Sequence, residues 1–562
     1  MVGISLASFE PLLPAERAIV AELARGDFDR LGDGRRPEVA DPDRVIRADL
    51  LRFLLLGGDA TTRPHEKGVR VSGGWISGLL DLEGCRIPRD IGLKDCHFEA
   101  GPVLRSAIID SLFLDGSALP ALYADRLEAR GGLTLRGSVV KGEIRLAGAS
   151  IGGAVECDGL TLERPGTVVL AAGGLSANGV HLRGASVRGG IDLSGARLVA
   201  GIEGQGLVLS HPEAVALNAD SIDTGSNVVL RRASITGEVR LLGALVKGDL
   251  DCLGATFSNP GGNALDLGRA DIEGGFLLRG DAAVQGVLDM TGARIGTLHD
   301  EPSAWPGKGD LLLNRCIYSG FIDGPVDAET RLDWLARQSP ERWGEDFWPQ
   351  PYEQLATVFR EMGHDEDARS VLIEKERLQR AARRARTENP VWRNVLAAKD
   401  WMLGITLGYG RQPLLAFVWL ALFWLVGVAV FANANAVGAM KPNSPVILRS
   451  AEWTACRLET GNQVQLLGTE QPLLGRAAKG QNQLDCFRAQ FEALSYPEFN
   501  AWMYSLDTLF PVLEIGQRGY WRPDPAQPWG GMTIAYFYFE SIVGWALSLL
   551  AVAGFSGLVK SN

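Results

Sequence analysis

Three acidic residues near the end of this 562-residue chain stand in apolar surroundings. Asp507 and Glu514 lie in "FNAWMYSLDTLFPVLEIG", Phe499 to Gly516, and Glu540 sits at the edge of "SIVGWALSLLAVAGFSGLV". A carboxylate beside a stretch of bilayer length is costly unless it has work to do, and rings of carboxylates at a pore mouth favour cations. Read as one helix, 499–516 puts Met503, Leu506, Phe510 and Leu513 on one face and Asp507 and Glu514, seven apart, on another. Two readings follow. The segment is a re-entrant pore helix with Asp507, Glu514 and Glu540 as pore candidates, or it is an amphipathic helix on the outer leaflet with all three acids solvated. Cys456 and Cys486 fall in the same region. They are the disulfide candidate in an oxidising compartment, with a reactive pair as the alternative.

Other constellations fail on context. Thr406-Leu407-Gly408-Tyr409-Gly410 nearly spells a potassium selectivity filter, but a filter follows a pore helix between two membrane helices, and no apolar run precedes this one. Gly148-Ala-Ser150-Ile-Gly152 matches a nucleophile elbow, yet it repeats in phase at Gly184-Ala-Ser186. The six His are scattered singly, without metal-ligand spacing. No phosphate-cradling glycine loop opens a helix. No catalytic, cofactor-binding or metal residue is therefore expected, and the chain does not read as an enzyme.

The acids need elements to hold them. Leu414 to Ala432, "LLAFVWLALFWLVGVAVFA", is long enough to cross a bilayer, and Ser541 to Val559 is a second such run. Between Arg377 and Arg411 there are eight Lys/Arg against two acids, Glu388 and Asp400. By the positive-inside rule that side faces the cytoplasm, and 433–532 faces outward. The start, "VGISLASFEPLLPAERAIV", lacks a basic segment before an apolar core, so the N-terminus is expected to stay inside. The expected location is a bacterial inner membrane. "VLAAKDWMLGITLGYGRQP" reads as an interfacial helix with Trp401 at the headgroups, Gly408 and Gly410 turning the chain, and Pro413 starting the first span.

Upstream the chain changes character. Gly is in excess at 69 residues while Pro is ordinary at 27. Apolar pairs recur every eleven residues: Leu133/Leu135, Ile144/Leu146, Val155/Cys157, and again Val228/Leu230, Val239/Leu241, Leu250/Cys252. The unit reads G-x-Φ-x-Φ-x-G-A-x-Φ, where Φ is apolar. Alternation within each unit is strand periodicity, and a fixed period of short strands predicts a parallel β-helix of roughly eleven coils over 69–320. Cys85 and Cys96, eleven apart, are expected to stack as buried thiols. Residues 1–68 are expected to form a helical cap, with Asp41 as N-cap of "DPDRVIRADLLRFLLLGG". Residues 321–400 read as a helical adaptor: Asp327 caps one helix, and "PYEQLATVFREMGHDEDARSVL" resembles a single tetratricopeptide-type helix pair. The fold class is mainly β, a solenoid followed by a helical hairpin and a two-helix membrane region (401–562). The net charge of −11 argues against a nucleic-acid partner.

The G-x-Φ-x-Φ-x-G-A units, "PYEQLATVFREMGHDEDARSVL", "GYGRQP" and "YSLDTLFPVLEIGQRGYW" together resemble a group of bacterial membrane proteins with cytoplasmic pentapeptide-like or β-helix repeats and two C-terminal spans. Such proteins are sometimes labelled membrane-associated oxidoreductases. The matching residues specify architecture and call for no redox cofactor, so that activity stands only as a further alternative. The regular ladder without a catalytic cluster reads as a membrane-anchored scaffold or sensor whose solenoid meets a protein partner, with membrane lipid as the other partner. The alternative is a homo-oligomeric two-span channel gated by the solenoid.

Overall fold

The computed structural model describes residues 5–409, 412, 414–457, 463–464, 473–474, 483–489, 492–510 and 512–555. The chain divides into two compact units, Met1–Lys375 and Glu376–Asn562.

The first unit is a parallel β-solenoid of about 12 turns. One buried column shows how the sequence builds it. Val69, Ile91, Leu112, Leu133, Val155, Val180, Ile202, Val228, Leu250, Phe276, Leu298 and Phe321 pair in parallel register, each with the next. All of them are buried. Like stacks on like, so each coil buries its apolar pair against the coil on either side, worth roughly 1.5–3 kcal/mol per large side chain. The pairing step is two sequence units, as Leu133↔Val155 shows. Cys85 and Cys96 are therefore half a coil apart and do not stack. The Cys96 column continues instead through Ser117 and Ser138, whose hydroxyls take the backbone N–H of Cys96 (2.9 Å) and Ser117 (3.2 Å).

Three coils carry an extra turn. The strands Thr161–Ala171, Val208–Asn218 and Thr256–Asp266 each shift register around a proline, at Pro165, Pro212 and Pro260. The following coil passes close to each of these turns. Gly237 there has φ +111°, and a methyl group on it would overlap the carbonyl of His211.

The N-terminal cap is mixed rather than helical. The helix α1 is Pro14–Glu22 and α2 only Ala48–Leu55. Asp41 accepts from the Asp43 N–H in a turn, and Val45–Arg47 forms a strand on Trp75–Ser77. β-branched Val45 and Ile46 extend the ladder outward, so the expected N-cap at Asp41 gives way to sheet pairing. Glu16 on α1, fully buried, holds this start in place through Arg47 at 2.6 Å.

At the other end, Ala328–Leu335 (α3), capped by Asp327 through the Thr330 N–H at 2.8 Å, and Gln350–Glu361 (α4) close the last coil. An open coil leaves unpaired backbone groups. The Gln350 and Gln354 amides donate to the carbonyls of Cys316 (2.9 Å) and Tyr318 (2.7 Å), and Gln350 accepts from the Arg315 N–H. Arg331, with no exposed surface, grips Asp300 through two bonds of 2.7 and 2.8 Å. The segment read as an adaptor is thus in part the solenoid's lid, and the division of the chain falls at 375/376 rather than 400/401. The next helix, α5, is Asp365–Ala385.

In the second unit α6 is Pro390–Leu407 and ends on Gly408 in the left-handed conformation. Two helices are long and apolar enough to cross a membrane: Leu415–Ala436 (α7) and Gly530–Phe555 (α9). The second begins eleven residues before the expected span. Between them lies the shorter helix Ala501–Leu509 (α8). The readings on Gly410, Pro413 and the tail after Phe555 lie outside the described residues, as does part of 433–532.

Candidate functional site

The expectation of one helix over 499–516 does not hold. α8 stops at Leu509, because Phe510, placed before a proline, is pushed to φ −110° and ψ 79°. Asp507 and Glu514 consequently share no helix face. Asp507 is buried and turned to the backbone, accepting from the Arg518 N–H at 2.7 Å and the Ile515 N–H at 3.3 Å. It fixes the turn that follows α8. Glu514 is exposed. No hydrogen bond joins Asp507, Glu514 and Glu540 among the described residues.

Glu540 stands apart. It lies inside α9, not at its edge, and has no exposed surface. Three elements meet there. Ser505 of α8 places its hydroxyl 2.6 Å from Glu540 Oε1 and 3.0 Å from the Trp424 carbonyl of α7. Gly427 of α7 provides the space: any side chain there would overlap both Glu540 Oε1 and Ser505 Oγ. Gly544 of α9 likewise lets the backbone of Leu509 pass. The aromatic frame is tight, with Trp424 Nε1 donating to the Trp502 carbonyl at 3.1 Å and the rings of Phe431 and Tyr504 4.7 Å apart.

The chemistry follows from counting hydrogens. A hydroxyl has one hydrogen and Ser505 Oγ faces two acceptors. A hydrogen on the carboxyl would complete the set. Glu540 Oε2 has no partner, and no basic side chain pairs with this carboxyl among the described residues. A buried carboxyl with one free oxygen is suited to taking up a proton or a small cation.

Sequence reasoning missed Ser505, Trp424 and Gly427. A single Gly inside the apolar run of α7 was the one usable signal. Cys456 and Cys486 are joined by a disulfide, their Cα atoms 5.6 Å apart, in a small core with Trp453 and Phe487.

The solenoid offers no comparable group. Its exterior charges alternate from coil to coil: Lys94, Asp115, Arg136 and Glu156 form one ladder, and Arg105, Asp125 and Arg145 another. Burial pushes the thiols of Cys96, Cys157 and Cys316 up to about 12 and raises Cys252 as well, which leaves them unreactive at neutral pH. No group of three or more His, Cys, Asp or Glu is placed to hold a metal among the described residues. No protein-family profile matches the chain, and no curated protein matches it.

Proposed function

We propose that the chain is an inner-membrane-anchored β-helix protein whose solenoid faces the cytoplasm and serves as an interaction scaffold for a protein partner. The observation that carries this is the contrast within one chain: a solenoid covered at both ends, with self-neutralising charge ladders and four buried thiols, followed by a unit with two helices of bilayer length. The side assignment is supported by the basic stretch Arg377–Arg411 before α7 and by a disulfide confined to the segment between the two apolar helices. A biotin ligase fused to the full chain and to a chain lacking 69–320 tests the scaffold. Neighbours labelled only when the solenoid is present support it. Identical neighbour sets remove it.

A second reading, an oligomeric two-span channel, is favoured by one observation: α8 lies between α7 and α9 with the buried Glu540 at their junction. Recording from the purified protein in planar bilayers discriminates. Unitary currents abolished by Glu540→Gln support the channel, and silence removes it.

A further inference from the structure

The helix α6 is two-faced. Val391, Val395, Met402 and Ile405 recur at helical spacing on one face, and each is exposed. Trp392 and Trp401 flank this stripe, and Trp401 is 67% exposed. The opposite face is occupied. Asp400 is buried and accepts from Arg380 at 3.2 Å and from Arg384. Leu403 packs beside Ala416 of α7 and Ala551 of α9. Trp419 Nε1 of α7 donates to the Ile405 carbonyl at 3.0 Å. The face opposite the stripe is thus packed against the start of α7 and the end of α9, at the basic end of the helix pair.

We propose that the exposed face of α6 lies in the boundary between headgroups and acyl chains, and that its partner is an anionic phospholipid surface. Charge complementarity selects the partner. Eight Lys/Arg stand between Arg377 and Arg411 against two acids, and two of the eight, Arg380 and Arg384, are taken up by Asp400. Arg393 and Lys399 are exposed on α6 itself. An apolar stripe bordered by tryptophan and followed by cations is what a helix lying in an anionic interface requires. Each basic group near such a surface adds attraction that a zwitterionic surface does not supply. The proposal rests on the membrane-anchor reading and goes beyond it by naming a lipid class and the residues that read it.

The test uses the full chain in bilayer discs of phosphatidylcholine alone or with phosphatidylglycerol, with amide hydrogen exchange followed over 390–407. Exchange in α6 is expected to slow by about tenfold when phosphatidylglycerol is present. Met402→Glu should abolish the slowing, and Arg393→Glu with Lys399→Glu should shrink it, while α7 stays protected in every case. Equal α6 exchange in both discs with α7 still protected overturns the proposal and leaves the anchor standing. Protection that appears in lipid-free detergent and grows with protein concentration also overturns it, assigning the stripe to a second copy. Release of the chain by alkaline carbonate removes the anchor reading, and the proposal with it.

Discussion

Buried carboxylates are answered by arginine throughout the solenoid unit, but only in part of the helical unit. In the solenoid unit Glu16, Asp125, Asp251 and Asp300 are buried, and each faces arginine: Arg47, Arg105 and Arg145, Arg231, and Arg331. In the helical unit Asp400 is likewise held by Arg380 and Arg384, whereas Glu540, with no exposed surface, faces one hydroxyl. A paired carboxylate is a fastener, because its charge is answered and its geometry fixed. A carboxyl that faces one hydroxyl and no cation has no such fastening, and burying it in charged form would cost several kcal/mol. The comparison sets Glu540 apart: the acids that pin coils and caps, and Asp400 on α6, are answered by arginine, and Glu540 is not.

The largest expected effect falls on the fasteners. Asp300→Ala leaves Arg331 buried without its partner and should cost about 3–5 kcal/mol, read as a lower urea midpoint for loss of strand circular dichroism. Next comes the column. Leu250→Ala should cost about 2–5 kcal/mol in the same assay, because neighbouring coils hold the cavity open. Glu540 sharpens the contrast. Glu540→Gln keeps the shape and can still hydrogen bond, so it should shift stability by no more than about 1 kcal/mol, while Glu540→Ala, leaving Ser505 Oγ one acceptor fewer and a void, should cost about 1–3 kcal/mol, both read from helix unfolding in detergent. A Gln variant as damaging as Asp300→Ala would erase the distinction. The smallest effect belongs to the charge ladders. Arg136, half-exposed between Asp115 and Glu156, should lose under about 1 kcal/mol on change to Gln, and less at high salt.

The solenoid was legible because each coil repeats its neighbour. A column from Val69 to Phe321 writes one physical demand many times, so the period survives individual exceptions such as the proline turns at 165, 212 and 260. Both caps were harder to read. Asp41 followed by Pro42 carries a helix-start signal, but whether Val45–Arg47 becomes helix or strand is decided by an open edge at Trp75–Ser77, far away in sequence. Gln350 and Gln354 look like ordinary helix-surface residues until the last coil is in place beneath them. The helical site was the least legible. Trp424, Gly427, Ser505 and Glu540 meet across 116 positions, and no local pattern ties a hydroxyl to a carboxyl at that distance. Proline at 511 did announce the end of α8, yet apolar spacing alone carried the expected helix through it.

The most direct measurement is the sidedness of the two regions. Cysteines placed at the exposed positions Arg126 in the solenoid and Glu498 before α8 can be probed with a maleimide that does not cross membranes. Labelling of Glu498→Cys in intact spheroplasts, with Arg126→Cys labelled only after lysis, is the expected result. Labelling of Arg126→Cys in intact spheroplasts would contradict a cytoplasmic solenoid.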